Sequence, residues 1–299
     1  MIGKVLYIAG LAFSGTSLLN LLFDSQRPAV RGIGEGFQVH CEDRQPGGPC
    51  ATCKVKRWQD CELYRGWKGQ PFYGWHFDRY QCAMLVDSGK HPRHLMRMVE
   101  QEPTHQYAVL MLSKAPHEAV YSTVQHLQWD HWDENHGKGG VKRALDHYHS
   151  GYLAYFDALQ GAGLPVHAVP YRDVVRAPQD VVHNFCQLMG IPCDRTLVKS
   201  KWQQTDTHVL GGNPSMVLQL TGDDVFSFAV PHDKYLGGKY AGKRDAVFYD
   251  DAWKRNKAFL VEFLEVYNEM LVDRRQLYQR LGHDPNLVSL EVVQAIKGL

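Results

Sequence analysis

The chain has 299 residues, carries a net charge of +1 and is 44% hydrophobic. That is enough to bury one large core or two small ones, and it lacks the strong field that would point to nucleic acid or an anionic membrane as the main partner. It holds no run of about 18 apolar residues, so no membrane-spanning helix is expected, and residues 1–10 lack the basic start and cleavage site of a signal peptide, so the expected location is cytoplasmic.

Residues 4–9 read as a buried strand, 10–15 as a loop, and 16–23 as a helix buried through Leu18, Leu19, Leu21 and Leu22. A short second strand is expected at 30–33. Residues 41–76 mix cysteine, glycine and proline with Trp58, Trp67, Phe72 and Trp75 and show no period, so they read as an insertion or an acceptor-side cap. Further strands are expected at 83–87, 107–112 and 165–170. Helices are expected from 93, over 117–129, 141–162 and 181–189, with a flexible break at 137–140. Residues 203–249 are rich in Gly and Asp and read as a loop or lid. Residues 249–281 read as a long amphipathic helix with Phe259, Phe263, Tyr267, Met270 and Leu271 on one face. Short apolar strands alternating with helices predict an α/β fold: one domain over 1–299, with a mostly parallel sheet flanked by helices on both faces.

Gly10 and Gly15 have the spacing of a phosphate-binding P-loop between strand and helix. Such a loop turns backbone N–H groups toward an anion, and the helix N-terminus adds partial positive charge. In the triphosphatase form a Lys follows the second Gly and reaches the β/γ-phosphates; here Thr16 stands there. The loop therefore suits a ligand with one phosphate at this point better than a triphosphate with Mg²⁺. Ser14, Thr16 and Ser17 each offer a hydroxyl to phosphate. The plain alternative is a strand-to-helix turn with a capping Ser.

Lys114 ends a strand and Ser122 lies in the next helix, a cation and a hydroxyl suited to a second phosphate at the edge where open parallel sheets bind ligands. Glu35, between Gly34 and Gly36, follows the second strand; a carboxylate there could take the proton of an attacking hydroxyl, an ordinary turn carboxylate being the plain alternative. Lys90 and His91 sit in another strand-end turn. Cys41, Cys50, Cys53 and Cys61 have a central Cys-x2-Cys pair and could form a four-cysteine structural zinc site, with His40 as an alternative ligand; free thiols or a redox pair are the other reading.

Taken in order, these segments resemble a family. The run Phe13-Ser14-Gly15-Thr16-Ser17-Leu18-Leu19 resembles the 5′-phosphosulfate loop of the sulfotransferases that use 3′-phosphoadenosine 5′-phosphosulfate (PAPS), with Phe13 where members often carry Arg or Lys. Residues 86–92 resemble the Asp-Ser-Ser-Lys-x-Pro turn of bacterial members. Lys114 and Ser122 keep the spacing of the 3′-phosphate motif, with Lys in the usual Arg place, which loses bidentate phosphate binding and keeps the attraction. Residues 169–175 resemble the Tyr-Glu-Asp-Leu segment, and residues 208–214 the His-x-x-x-Gly-Asn-Pro loop.

The resemblance spans about residues 4–260 and rests on five ordered motifs, each weak alone. It implies the bacterial-type P-loop sulfotransferase fold and in-line transfer of SO₃ from PAPS to a hydroxyl or amine of a small-molecule, carbohydrate or lipid acceptor. The product would be adenosine 3′,5′-bisphosphate. It assigns Phe13 to Ser17 to the 5′-phosphate, Lys114 and Ser122 to the 3′-phosphate, and His208, Gly212 and Asn213 to a loop over the nucleotide. Glu35 is the implied base and Lys90 the group facing the bridging oxygen. His91 stands one residue from the position of the base-acting His in animal cytosolic members. Two other readings stay open: a degenerate P-loop kinase or phosphatase, and an inactive nucleotide-binding module of the same fold.

Overall fold

The computed structural model describes residues 2–12, 14–40, 50, 53, 55, 57–127, 139–201 and 252–299. Five strands form the sheet: β1 (Lys4–Ala9), β2 (Val30–Gly32), β3 (Met84–Asp87), β4 (Gln106–Ser113) and β5 (Val166–Pro170). Their order is β2-β3-β1-β4-β5 and every pairing is parallel. Helices α1 (Thr16–Asp24), α2 (Phe37–His40), α3 (Phe72–Tyr80), α4 (Pro92–Gln101), α5 (Pro116–Leu127), α6 (Gly140–Gly161), α7 (Tyr171–Arg176), α8 (Pro178–Leu188) and α9 (Arg195–Lys201) lie between or after the strands. Two more, α10 (Lys257–Arg280) and α11 (Pro285–Lys297), follow.

Alternation along β1 splits the core in two. Leu6 and Ile8 join the α1 leucines, Leu110 and Phe185 on one face. Val5, Tyr7 and Ala9 join Leu95, Tyr148, Phe263 and Val292 on the other. Both faces are therefore covered, which is why the strands read as nearly continuous apolar runs.

Helices α2, α7 and α9 were not expected from the sequence, and three further helices depart from expectation in ways their caps explain. Residues 72–76 fall in the stretch expected to be irregular, yet they open α3, which runs on to Tyr80. Its N-cap, Pro71, makes no side-chain cap; instead the Glu102 carboxylate accepts the N–H groups of Tyr73 (2.8 Å) and Gly74 (2.7 Å). Burial acts to raise the Glu102 carboxyl, but His105 and these two N–H groups outweigh it and hold it below the ordinary value. The helix expected over 249–281 begins at Lys257, where the Asn256 side chain accepts the Phe259 N–H. Helix α11 was not anticipated; Asp284 caps it by accepting the Asn286 N–H at 2.8 Å, and Pro285 occupies its first turn. Arg172 binds this helix to the sheet edge, donating to Glu291 (2.6 Å) and Glu118 (2.8 Å).

Burial holds His76 and His117 down to about 3, and His149 and His283 down to about 4. These imidazoles stay neutral in the fold, whereas the unfolded chain protonates them below about pH 6.5. Their contribution is thus complete above that value and is lost as pH falls toward 4. Urea denaturation should show a lower midpoint at pH 5 than at pH 7.5, with His76 and His117 each responsible for roughly 1–2 kcal/mol; an unchanged midpoint contradicts this. Glu102→Gln should cost about 1 kcal/mol by removing the remote cap of α3, measured the same way at pH 7.5.

Candidate active site

Because all five strands run parallel, their C-terminal ends meet at one edge, and the strand-end segments singled out within the described residues leave from that edge. The 10–15 loop follows β1, Glu35 follows β2, Ser88 to His91 follow β3, Lys114 follows β4 and Tyr171 follows β5. β1 lies at the centre, between β3 and β4. Connections leave its two sides in opposite directions, which opens the crevice where such sheets bind ligands.

The loop after β1 is built for close approach. Gly15 is the N-cap of α1 at φ 98°, with no side-chain cap on the helix. Ser14 donates its N–H to the Leu11 carbonyl (3.2 Å), but the hydroxyls of Ser14 and Thr16 are buried and meet no hydrogen-bond partner among the described residues. The capping-Ser alternative is therefore not what the structure shows. A Cβ on Gly10 would lie 2.6 Å from Ser14 Oγ, and one on Gly15 would lie 2.3 Å from the Tyr171 ring. Ser17 is buried in the first turn of α1.

The turns after β2 and β3 are laced together. Ile33 donates its N–H to the Val86 carbonyl (2.9 Å) and Ser88 its N–H to the Gly34 carbonyl (2.8 Å). Gly36 donates its N–H to Asp87 Oδ1 (3.1 Å). Buried Asp87 also accepts the Tyr73 hydroxyl (2.9 Å) and lies 3.3 Å from His94 Nε2. The Tyr7 hydroxyl accepts the His91 N–H and donates to the His91 carbonyl, both at 2.9 Å. Burial, then Asp87, pushes the Tyr7 phenol well up, so it stays protonated and can serve as this donor.

Between these anchors Lys90 sits at φ 55°, a left-handed conformation for a residue with a Cβ, and its ammonium forms an ion pair with Glu35. Glu35 is 3% exposed. The Ser88 hydroxyl is buried and, like those of Ser14 and Thr16, has no partner among the described residues. His91 is exposed, its ring 5.9 Å from that of Phe37.

Lys114 lies with its ammonium 5.1 Å from the centre of the Tyr171 ring. It lines a cavity of about 380 Å³ together with Leu11, Ser14, Thr123, Arg143 and Tyr152. Ser122 is half-buried on α5 beside Thr123 and is not among the residues lining that cavity. Phe13, Cys41, His208, Gly212 and Asn213 lie outside the described residues, as does the 203–249 segment read as a lid.

Sequence reasoning thus placed the loop hydroxyls, Lys114, Glu35 and Lys90 on the same edge, and the structure joins the last two directly. It met Asp87, Ser88 and Tyr171 only inside the 86–92 and 169–175 segments, without a role of their own, and it passed over Tyr7 and Arg143. The approach of Gly15, a glycine at positive φ beside the Tyr171 ring, is visible only in the fold. Helix α7 is entered from Pro170 with no side-chain cap.

No family model and no curated protein sequence matches the chain. Solved structures do. The sulfotransferase domain from the curacin biosynthetic pathway superposes over 90% of this chain and 98% of its own, with 15% identity and a TM-score of 0.54. A sulfotransferase from Alicyclobacillus acidocaldarius covers 68% of this chain and 91% of its own at 18% identity and a TM-score of 0.40. At that score the second likeness carries no weight. The first shows that this chain has the α/β fold of that sulfotransferase domain.

Gly15→Ala places a methyl group against the Tyr171 ring at an already unfavourable φ. It should destabilise the fold by about 1–3 kcal/mol. In a Tyr171→Ala background the clash is gone and the φ cost remains, so Gly15→Ala should cost less there than in the unaltered protein, read as a double-mutant cycle in the same urea titration.

Proposed function

We propose that the protein is a PAPS-dependent sulfotransferase. The observation that carries this reading is the juxtaposition at one sheet edge of three buried hydroxyls without partners among the described residues (Ser14, Thr16 and Ser88) and the Glu35–Lys90 ion pair. Buried hydroxyls left unmatched cost stability, and a phosphate or sulfate oxygen would complete them. The fold shared with the curacin-pathway sulfotransferase domain supports the same reading.

Bound PAPS would supply an SO₃ group on a phosphate leaving group. Ser14, Thr16, Ser17 and the amides at the start of α1 would hold its 5′-phosphate end. Lys114 and Ser122 would serve the 3′-phosphate, with Arg143 as a further cation lining the Lys114 cavity. Phe13 and the 208–213 segment retain the nucleotide-binding roles that the family resemblance gives them.

Glu35 would take the proton of the attacking hydroxyl or amine. In the structure Lys90 engages the Glu35 carboxylate. An anionic donor at the loop gives the ammonium a second acceptor; Lys90 would turn to the bridging oxygen, where negative charge develops, and release its hold on Glu35, the proposed base. His91, exposed on the same turn, would assist at the acceptor side. The acceptor is a small molecule, carbohydrate or lipid bearing a hydroxyl or amine, and the site of action is cytoplasmic.

A kinase reading fares worse. Thr16 replaces the lysine that follows the second glycine of a triphosphate loop. The carboxylate at the end of β3, Asp87, is buried and committed to Gly36, Tyr73 and His94, so it is poorly placed to hold Mg²⁺.

Calorimetric titration should show binding of adenosine 3′,5′-bisphosphate and none of ATP with Mg²⁺; the opposite pattern overturns the assignment. Glu35→Ala should retain bisphosphate affinity within about threefold while transfer from PAPS to an acceptor library, followed by mass spectrometry, falls by about 10²–10⁴-fold. Unchanged turnover removes Glu35 from the mechanism.

A further inference from the structure

Away from the nucleotide edge, the cap before α3 contains a second cluster of chemistry-bearing side chains. The sulfurs of Cys50, Cys53 and Cys61 all lie within 4.8 Å of one another, and those of Cys53 and Cys61 are 3.9 Å apart. Two thiolates on one tetrahedral Zn²⁺, each at about 2.3 Å, are separated by about 3.8 Å. A disulfide needs about 2.05 Å, so the spacing is that of ligands sharing an ion.

The backbone supports the same arrangement. Cys50 donates its N–H to the Val55 carbonyl at 3.0 Å, closing an antiparallel bridge around the Cys-x2-Cys turn. Within it the Cys53 N–H points at Cys50 Sγ (3.5 Å), and the Glu62 N–H at Cys53 Sγ (3.4 Å). Amide donors aimed at sulfur stabilise negative charge there, as thiolate ligands require. Cys50 and Cys61 are fully buried, which shields a site from exchange and oxidation. The only regular structure described between them is the short turn Trp58–Asp60.

We propose that Cys50, Cys53 and Cys61 bind one structural Zn²⁺ that ties the cap to the strand end carrying Glu35. The connection runs through Tyr64, three residues past Cys61, whose hydroxyl donates to the Ile33 carbonyl two residues before Glu35. Arg79 on α3 secures the same stretch, donating to the Glu62 and Arg65 carbonyls, both at 2.7 Å. The ion is structural: its three thiolates lie in the cap, apart from the hydroxyls and the ion pair of the nucleotide edge.

The test is metal content of the full-length reduced protein after zinc reconstitution and gel filtration. About one zinc per chain is expected, falling at least tenfold in Cys53→Ser and unchanged in Cys82→Ser, whose thiol lies outside the cluster. Cobalt reconstitution of the unaltered protein gives a second readout independent of how the variants fold: thiolate-to-cobalt charge transfer together with tetrahedral d–d bands. Chelation should lower the thermal midpoint of the unaltered protein. Zinc below about a tenth per chain, or a cobalt spectrum without thiolate charge transfer, overturns the proposal. Neither measurement uses PAPS, so the result is independent of the transferase reading.

Discussion

The parallel register about β1 is the constraint on which the rest depends. Lys4 of β1 pairs with Met84 on one side and Gln106 on the other, and Tyr7 stands opposite Asp87 and Val109. A slip of one residue would exchange Val5, Tyr7 and Ala9 with Leu6 and Ile8 between two differently shaped cores. It would also remove Tyr7 from beneath the β3 turn, where its hydroxyl brackets His91. Register therefore fixes more than core packing. It sets five strand ends at one edge and determines which loop faces which.

Electrostatics at that edge is local. With a net charge of +1 the chain offers no global attraction for an anion. What it offers is a helix start without a side-chain cap, three buried hydroxyls without partners among the described residues, and the ammonium groups of Lys90 and Lys114. Each unmatched buried hydroxyl costs on the order of 1–3 kcal/mol. Their concentration at one sheet edge is hard to explain by packing alone, because Ser→Ala and Thr→Val changes would relieve the cost at almost constant volume. A bound anion that completes them gives these side chains a reason to be there.

The sheet was legible because a strand buried on both faces must be apolar throughout, and a run such as residues 107–112 has few other interpretations. The strand expected at 83–87 was found at Met84–Asp87, and that at 107–112 at Gln106–Ser113. Helix α3 was hidden because its aromatic-rich sequence has modest helix propensity and its cap, Glu102, lies far along the chain. Helix α11 was different: Asp284 followed by Pro285 is a start signal readable from sequence. At the site, residue types pointed to Glu35 and Lys90 separately. Their ion pair links positions 55 residues apart through the β2–β3 pairing, and no local pattern encodes that.

Lys90 shows how the pieces combine. A lysine at φ 55° is strained by about 1–3 kcal/mol and persists only where its neighbours hold it. On one side the chain is fixed by Ser88 on the Gly34 carbonyl, on the other by the two hydrogen bonds between His91 and Tyr7. Gly89 cannot relax the turn by acquiring a side chain, since a Cβ there would lie 2.7 Å from the Tyr7 hydroxyl. The backbone twist therefore directs the ammonium back across the edge to Glu35 instead of out to solvent. A flexible lysine on an ordinary turn would lose rotamer entropy to make that contact. Here much of the ordering is built into the fold, and the ammonium is already stationed beside the loop where an incoming anion would compete for it.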